Sequence, residues 1–307
     1  IQRDTAVAWF KQAGLNFDTL KKQAQTPAFK PVALKGVTFS AGYAVDAQTI
    51  VSQNVVARIE GSKNPKHTVI YSGHWDHLGV GAPDAKGDTI YNGAVDNGTG
   101  IAGMIELARA YGKAPQPHRS VVFLAVTAEE KGLLGSEYYA SNPVFPLSKT
   151  VAMINMDALS PGSKARNFSI SGSAKLDLLD RLVATAAKWN VDYLPDPKPE
   201  AGHFFRSDHF PMAKRGVPAI SFGSGDDLLV GGKAAGDKEE VNYTTVRYHQ
   251  PADEWQAEWS FEGMTRDLQI LYTLGRDLAN SNDWPNWSLD SEFRGARDQS
   301  AFERKGD

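Results

Sequence analysis

Several segments of this chain carry carboxylates or imidazoles immediately behind an apolar, strand-like run. The run at residues 67–72 is followed by GHWDH, which holds His74, Asp76 and His77. The run at 120–127 is followed by Glu129-Glu130, and the run at 150–155 by Met156-Asp157. Asp96 stands in GAVDNGTG, just ahead of a helical pattern, and His249 lies in the loop-like YHQPADE. The chain has no cysteine, so disulfides, thiolate zinc sites and a Cys nucleophile are all excluded. Any metal must be held by His and carboxylates. Two adjacent acids at one strand end suit a metal ligand beside a general base. A dinuclear centre needs one bridging carboxylate and about two further O or N ligands per ion. The residues available match that requirement and leave one Glu over as base.

Each of these groups also has an ordinary reading. His-x-Asp is most often a satisfied loop pair, and Asp96 in a Gly- and Asn-rich turn is a routine helix N-cap. Glu129-Glu130 could be solvated charge favoured by a helix N-terminus. The conjunction argues otherwise, because in open α/β sheets ligands bind outside the carboxyl ends of the strands. Residues delivered to one sheet edge share a cleft even when far apart in sequence. Spacing alone does not choose the second imidazole among His77, His209 and His249.

The elements that must position these groups alternate along the chain. A helix is predicted over 4–14 and a weaker one over 17–24, followed by strand-like alternation at 32–39 and 55–59. Further strands are predicted at 67–72, 120–127, 150–155, 168–171 and 218–222, and helices at 98–111, 133–141, 175–189, 208–215 and 262–278. Runs such as VVFLAV and VAMIN are almost wholly apolar, which implies helices on both faces of the sheet. The expected fold class is α/β: a three-layer α/β/α arrangement with a mixed, mostly parallel central sheet. Residues 1–283 are read as one catalytic domain, with 1–60 forming an N-terminal helix and edge strands. Residues 284–307 are read as a tail that wraps the surface or frays, and 223–240 as the longest loop.

The 307 residues, 41% of them apolar, suffice for a sizeable core. A net charge of −3 argues against a nucleic-acid partner, and no apolar run reaches the length of a membrane span. The chain opens on Ile1-Gln2-Arg3-Asp4, which predicts a processed or truncated product.

Taken in order, GHWDH, GAVDNGTG, AEEKGLLGS, NMDALS, RSDHFP and YHQPADE resemble the M28 family of zinc peptidases over roughly Asn54 to Leu278. That resemblance implies a zinc-exopeptidase fold, two Zn2+ per chain and peptide substrates. His74 and Asp157 would hold one ion, Glu130 and His249 the other, and Asp96 would bridge them. Glu129 would be the general base, Asp76 would hydrogen-bond His74 and fix its tautomer, and Tyr248 would donate to an oxyanion. His209 would shape the site without ligating. The resemblance further implies an aminopeptidase in a secreted or periplasmic setting, whose protease-associated insert domain is missing from this chain. A single-zinc glutaminyl cyclase-like transferase and an inactive receptor or scaffold are the alternatives, less favoured because no ligand is missing. A related dinuclear peptidase branch inserts a lid domain before the last His, for which the Asp157–His249 interval leaves little room.

Overall fold

A computed structural model describes residues 1–196 and 199–305. Two compact units emerge, Ile1–Ile50 and Val51–Asp307. The first unit contains α1 (Arg3–Gln12) and α2 (Phe17–Gln23), where Asn16 caps α2 by accepting from the Thr19 amide at 2.8 Å. Phe10 meets Phe17 edge-on, and Arg3 pairs with Asp18. The strand expected at 32–39 does not form. Val32 and Phe39 are exposed, and alternation without a partner strand leaves the backbone groups with no ladder to join.

The second unit is built on a seven-stranded sheet. Its strands are β1 (Val55–Ile59), β2 (Asn64–His74), β5 (Arg119–Val126), β6 (Thr150–Met156), β7 (Asn167–Ile170), β8 (Asp192–Tyr193) and β9 (Ala219–Ser224), while β3 (Gly79–Val80) and β4 (Ile90–Tyr91) form a separate hairpin. The spatial order is β1-β5-β2-β6-β9-β7-β8. The inner strands β5, β2, β6 and β9 run parallel, and β1 and β7 pair antiparallel on either side of that block. This is the mixed, mostly parallel sheet that the apolar runs imply.

Both faces are covered. Val69, Tyr71, Phe123 and Ile154 point to one side, where they pack with α3 (Gly98–Lys113), α5 (Asp177–Ala187) and α8 (Glu262–Asn280). Their strand neighbours Ile70, Val122, Leu124 and Met153 point to the other side, against α4 (Leu134–Ser141) and α6 (His209–Ala213). The period-2 alternation of the strands therefore fills two cores instead of one core and a wet face.

Residues 223–240, expected as loop, instead contain much of α7 (Gly232–Asn242). Its two glycines mask a run of Ala, Lys and Glu, all good helix formers, and Lys233 pairs with Asp237 one turn on. The segment after 284 does not fray. It carries α9 (Arg294–Gln299), and buried Arg297 donates to the carbonyls of Thr150 and Val151 at the start of β6. Gly306 and Asp307, the end of the expected tail, lie outside the described residues. Trp287 is 1% exposed, donates its indole N–H to the Gly216 carbonyl at 3.1 Å and packs on Phe293. Trp287→Ala should therefore cost about 3–5 kcal/mol in urea unfolding. A loss below about 1 kcal/mol would show that the tail is not part of the cooperative unit.

Candidate metal centre

His74 is the last residue of β2, and Asp157 directly follows β6. Because these strands are parallel neighbours, both side chains emerge at one sheet edge. Glu129 and Glu130 begin the single helical turn Glu129–Lys131 after β5, which flanks β2 on its other side. Asp96 arrives from the loop before α3, and His249 from the segment that follows α7. The wall between them is a cleft of about 900 Å³, with Leu133, Phe205, Arg206, Phe210, Tyr243 and Tyr248 around it.

The donors fall into two groups that meet at Asp96. His74 Nε2 lies 3.1 Å from Asp96 Oδ1 and 3.3 Å from Asp157 Oδ1. His249 Nε2 lies 3.3 Å from the other Asp96 oxygen and 3.1 Å from Glu130 Oε2. Two ligands about 2.0–2.2 Å from one tetrahedral ion stand about 3.3–3.5 Å apart, so these separations are close to those of ligand pairs around shared zinc ions. Within the chain alone, the protons of the imidazoles stand in for the cations. Burial would lower the His74 pKa, but hydrogen bonds and charge from Asp157 and Asp96 push it up to about 12. Burial would raise Asp96, but hydrogen bonds from His249 and His74 hold it well below the usual carboxylate range. Glu129 is pushed up to about 9, first by burial and then by the charges of Asp157 and Asp208. Bound divalent ions would reverse that upward push. The donor set thus fits a pair of divalent ions, with His74, Asp96 and Asp157 around one and Asp96, Glu130 and His249 around the other.

The backbone beside these residues is held in conformations L-residues seldom adopt. Ala128 precedes Glu129 at φ 55°, Ala158 follows Asp157 at φ 51°, and His249 itself sits at φ 57°. Such positions cost of order 1 kcal/mol or more and persist where the surroundings over-determine them. The surroundings here do. Asp253 is fully buried, accepts from the Val95 and Asp96 amides at 3.0–3.2 Å, and takes an Arg247 N–H at 3.2 Å. Asn97 caps α3, donates to the Met156 carbonyl at 2.9 Å and accepts from the Ala158 amide at 3.1 Å. Ser207 donates to Asp157 Oδ2 at 2.7 Å and accepts from Asn155 at 2.8 Å. Gly100 allows this closeness, since a Cβ there would stand 2.5 Å from the Met156 carbonyl oxygen.

The structure corrects the role expected of Asp76. His74 Nδ1 meets the main-chain carbonyl of Asp76 at 2.8 Å, not its carboxylate. The carboxylate accepts instead from the Thr127 hydroxyl at 2.9 Å and the Ala128 amide at 2.7–2.8 Å, tying the end of β2 to the turn that carries Glu129. Tyr248 lines the cleft and stacks on His249 with ring centroids 3.9 Å apart. Burial and then the Asp96 charge push its phenol up to about 12, so it stays a proton donor at neutral pH. His209, kept as structural, is buried edge-on against Phe204, and burial pushes its imidazole down to about 3. Ser207, Asn97, Asp253 and Tyr243 were not singled out by the sequence reading. Asn97 and Asp253 hold main-chain groups beside the donors and Ser207 holds the Asp157 carboxylate, and no spacing rule marks a residue that acts through such a contact.

Comparison with known proteins agrees with this arrangement. A sequence profile described as Peptidase family M28 matches residues 54–273. A probable zinc metalloprotease of Pyrenophora teres f. teres is 36% identical over 113 residues, 37% of this chain and 23% of that protein. A vacuolar membrane protease of Clavispora lusitaniae is 31% identical over 114 residues, 37% of this chain and 10% of that one. The chain thus spans less than a quarter of the length of either relative. Among solved structures, BSAP, a zinc aminopeptidase from Bacillus subtilis, superposes with a TM-score of 0.55 at 20% identity, over 79% of this chain and 52% of that one. An aminopeptidase from Aneurinibacillus sp. strain AM-1 gives 0.53 at 22% identity, over 77% and 50%. These two likenesses establish the fold, and the sequence profile covers the segment that holds every donor described above. The chain belongs to peptidase family M28.

Proposed function

We propose that this chain is a zinc-dependent exopeptidase, an aminopeptidase that uses two ions and a Glu base to remove N-terminal residues from peptides. The observation that carries the reading is Asp96. Its two oxygens face two different imidazoles, each with a carboxylate of its own, which is the layout of a bridging ligand between two ions. When bound, two zinc ions supply Lewis-acid chemistry, polarising the scissile carbonyl and lowering the pKa of the attacking water.

The residues around that centre divide the remaining work. Glu129 stands next to the donors, buried and with no side-chain hydrogen bond in the described residues, and would take the water proton and pass it to the departing amine. Asp76 would act on it indirectly, by holding Thr127 and Ala128. The Tyr248 hydroxyl would donate to the oxyanion as the carbonyl becomes tetrahedral. Leu133, Phe205 and Phe210 give the cleft an apolar wall for a substrate side chain. A single-zinc cyclase would leave one of the two donor groups without an ion, and an inactive scaffold would leave both. No helix among the described residues is long and apolar enough to cross a membrane. The reading extends to a secreted or periplasmic location, which the family resemblance implies, and takes the sheet body as the catalytic domain.

A panel of aminoacyl and N-blocked dipeptides, run with and without added zinc, tests the reading. Free-amine substrates should be cleaved and N-blocked ones spared, and the reverse preference would replace aminopeptidase with carboxypeptidase. Glu129→Gln should keep its zinc while kcat falls by about 10²–10⁴, whereas Glu130→Gln should lose zinc along with activity. Exchange of those two behaviours would reverse the roles of base and ligand. Tyr248→Phe deletes one donor and keeps the ring, so kcat should fall about 10²–10³ with KM changed much less. A kcat within about threefold of wild type would end the oxyanion role. The buried, unpartnered hydroxyl of Tyr243 in the same cleft would then be the candidate.

A further inference from the structure

One positive charge in the cleft has no part in the proposed function. The short helical turn His203–Arg206 leads into Ser207, which is buried and donates to Asp157. Arg206 is thus carried one residue from a contact to the donor set, and it lines the cleft. Its side chain is exposed and makes no hydrogen bond or ion pair with any described residue. The other basic side chains on the cleft wall all face carboxylates. Lys214 meets Glu137 at 2.8 Å, His203 meets Asp196 at 3.2 Å, and His249 meets Asp96 and Glu130 at 3.1–3.3 Å. The Arg206 charge reaches the working part of the cleft, because it opposes the upward push on both the Tyr248 phenol and the His249 imidazole. A free guanidinium in that position suits an anionic group on the substrate. Leu133, Phe205 and Phe210 make the wall for the first side chain apolar, so the anion must belong to the departing part of the peptide.

We infer that Arg206 binds the free C-terminal carboxylate of a dipeptide, which makes dipeptides the preferred substrates. The inference rests on the aminopeptidase reading. The departing residue of a dipeptide carries its carboxylate one residue beyond the scissile carbonyl, a step of about 3.3–3.6 Å. Each further residue moves that carboxylate outward by the same step and away from the guanidinium. The planar fork of Arg206 takes a carboxylate through two parallel hydrogen bonds, which a point charge cannot do. It also offsets the repulsion that Glu129, Glu130 and Asp157 exert on an anionic substrate. The competing role is that of a solvated charge at the cleft, which would attract anionic peptides of any length.

Steady-state kinetics of zinc-loaded wild type and Arg206→Gln on Leu-Ala, Leu-Ala-Ala and the C-terminal amide of each decide between them. The readout is the acid-to-amide ratio of kcat/KM at each length. In wild type that ratio should be about 10–100 for the dipeptide and about 1 for the tripeptide. Arg206→Gln should bring the dipeptide ratio to within about threefold of unity, chiefly through KM, because the contact lies away from the reacting bond. A wild-type dipeptide ratio near unity, or a high one that survives Arg206→Gln, overturns the inference and leaves the aminopeptidase reading standing. A ratio that is equally high at both lengths and lost at both in Arg206→Gln overturns it in favour of the solvated charge. No turnover of any of these peptides by wild type overturns the aminopeptidase reading and the inference with it.

Discussion

Asp96, Asp157, Glu129, Glu130 and Asp208 gather at the carboxyl ends of β5, β2 and β6, most of them shielded from water. Like charges about 4 Å apart repel by about 4 kcal/mol even at an effective dielectric constant of 20. A fold cannot hold such a group together without positive charge among its members. Together with burial, that crowding displaces the pKa values of the acidic cluster and its imidazoles. His74 is driven up, while Glu129 and Asp208 are driven up by burial and by their anionic neighbours. Asp96, held between two imidazoles, goes the opposite way. The two divalent cations proposed for the cleft would satisfy the same constraint.

The scaffold spends its rigidity on keeping these groups close. Parallel pairing of β5, β2 and β6 brings three strand ends bearing imidazole or carboxylate groups side by side, and cores on both faces fix the sheet. Beyond the strand ends the hydrogen bonds are mostly from side chain to backbone. Asp253 grips the amides before Asp96, Asn97 joins that loop to the end of β6, and Asp76 grips the turn before Glu129. A loop held through its amides cannot relax away from its neighbours, which is how strained φ values at Ala128 and Ala158 persist.

That division explains what the sequence reveals and what it conceals. Strand-end positions of His74, Glu129, Glu130 and Asp157 are legible because apolar runs mark the strands and the carboxyl-end rule marks the cleft. His249 is legible only through its family motif, since spacing alone does not separate it from His77 and His209. The side-chain contact that the family resemblance implies for Asp76 is made by its main-chain carbonyl instead, a distinction the motif does not carry. Segment 32–39 alternates like a strand yet finds no partner, and α7 hides behind two glycines. Local pattern marks an element only where tertiary pairing agrees with it.

If charge crowding is the governing constraint, the metal-free protein should be measurably frustrated, and the relief should come in two steps. The direct measurement is a zinc titration of metal-stripped protein, with bound metal and thermal midpoint followed together. Binding to the folded state raises stability by RT ln(1 + [L]/Kd), so each ion must register in the midpoint. The account predicts a rise in thermal midpoint that continues until two equivalents are bound and then flattens to the slow drift set by free zinc. Saturation at one equivalent, or zinc bound without any gain in stability, would contradict it.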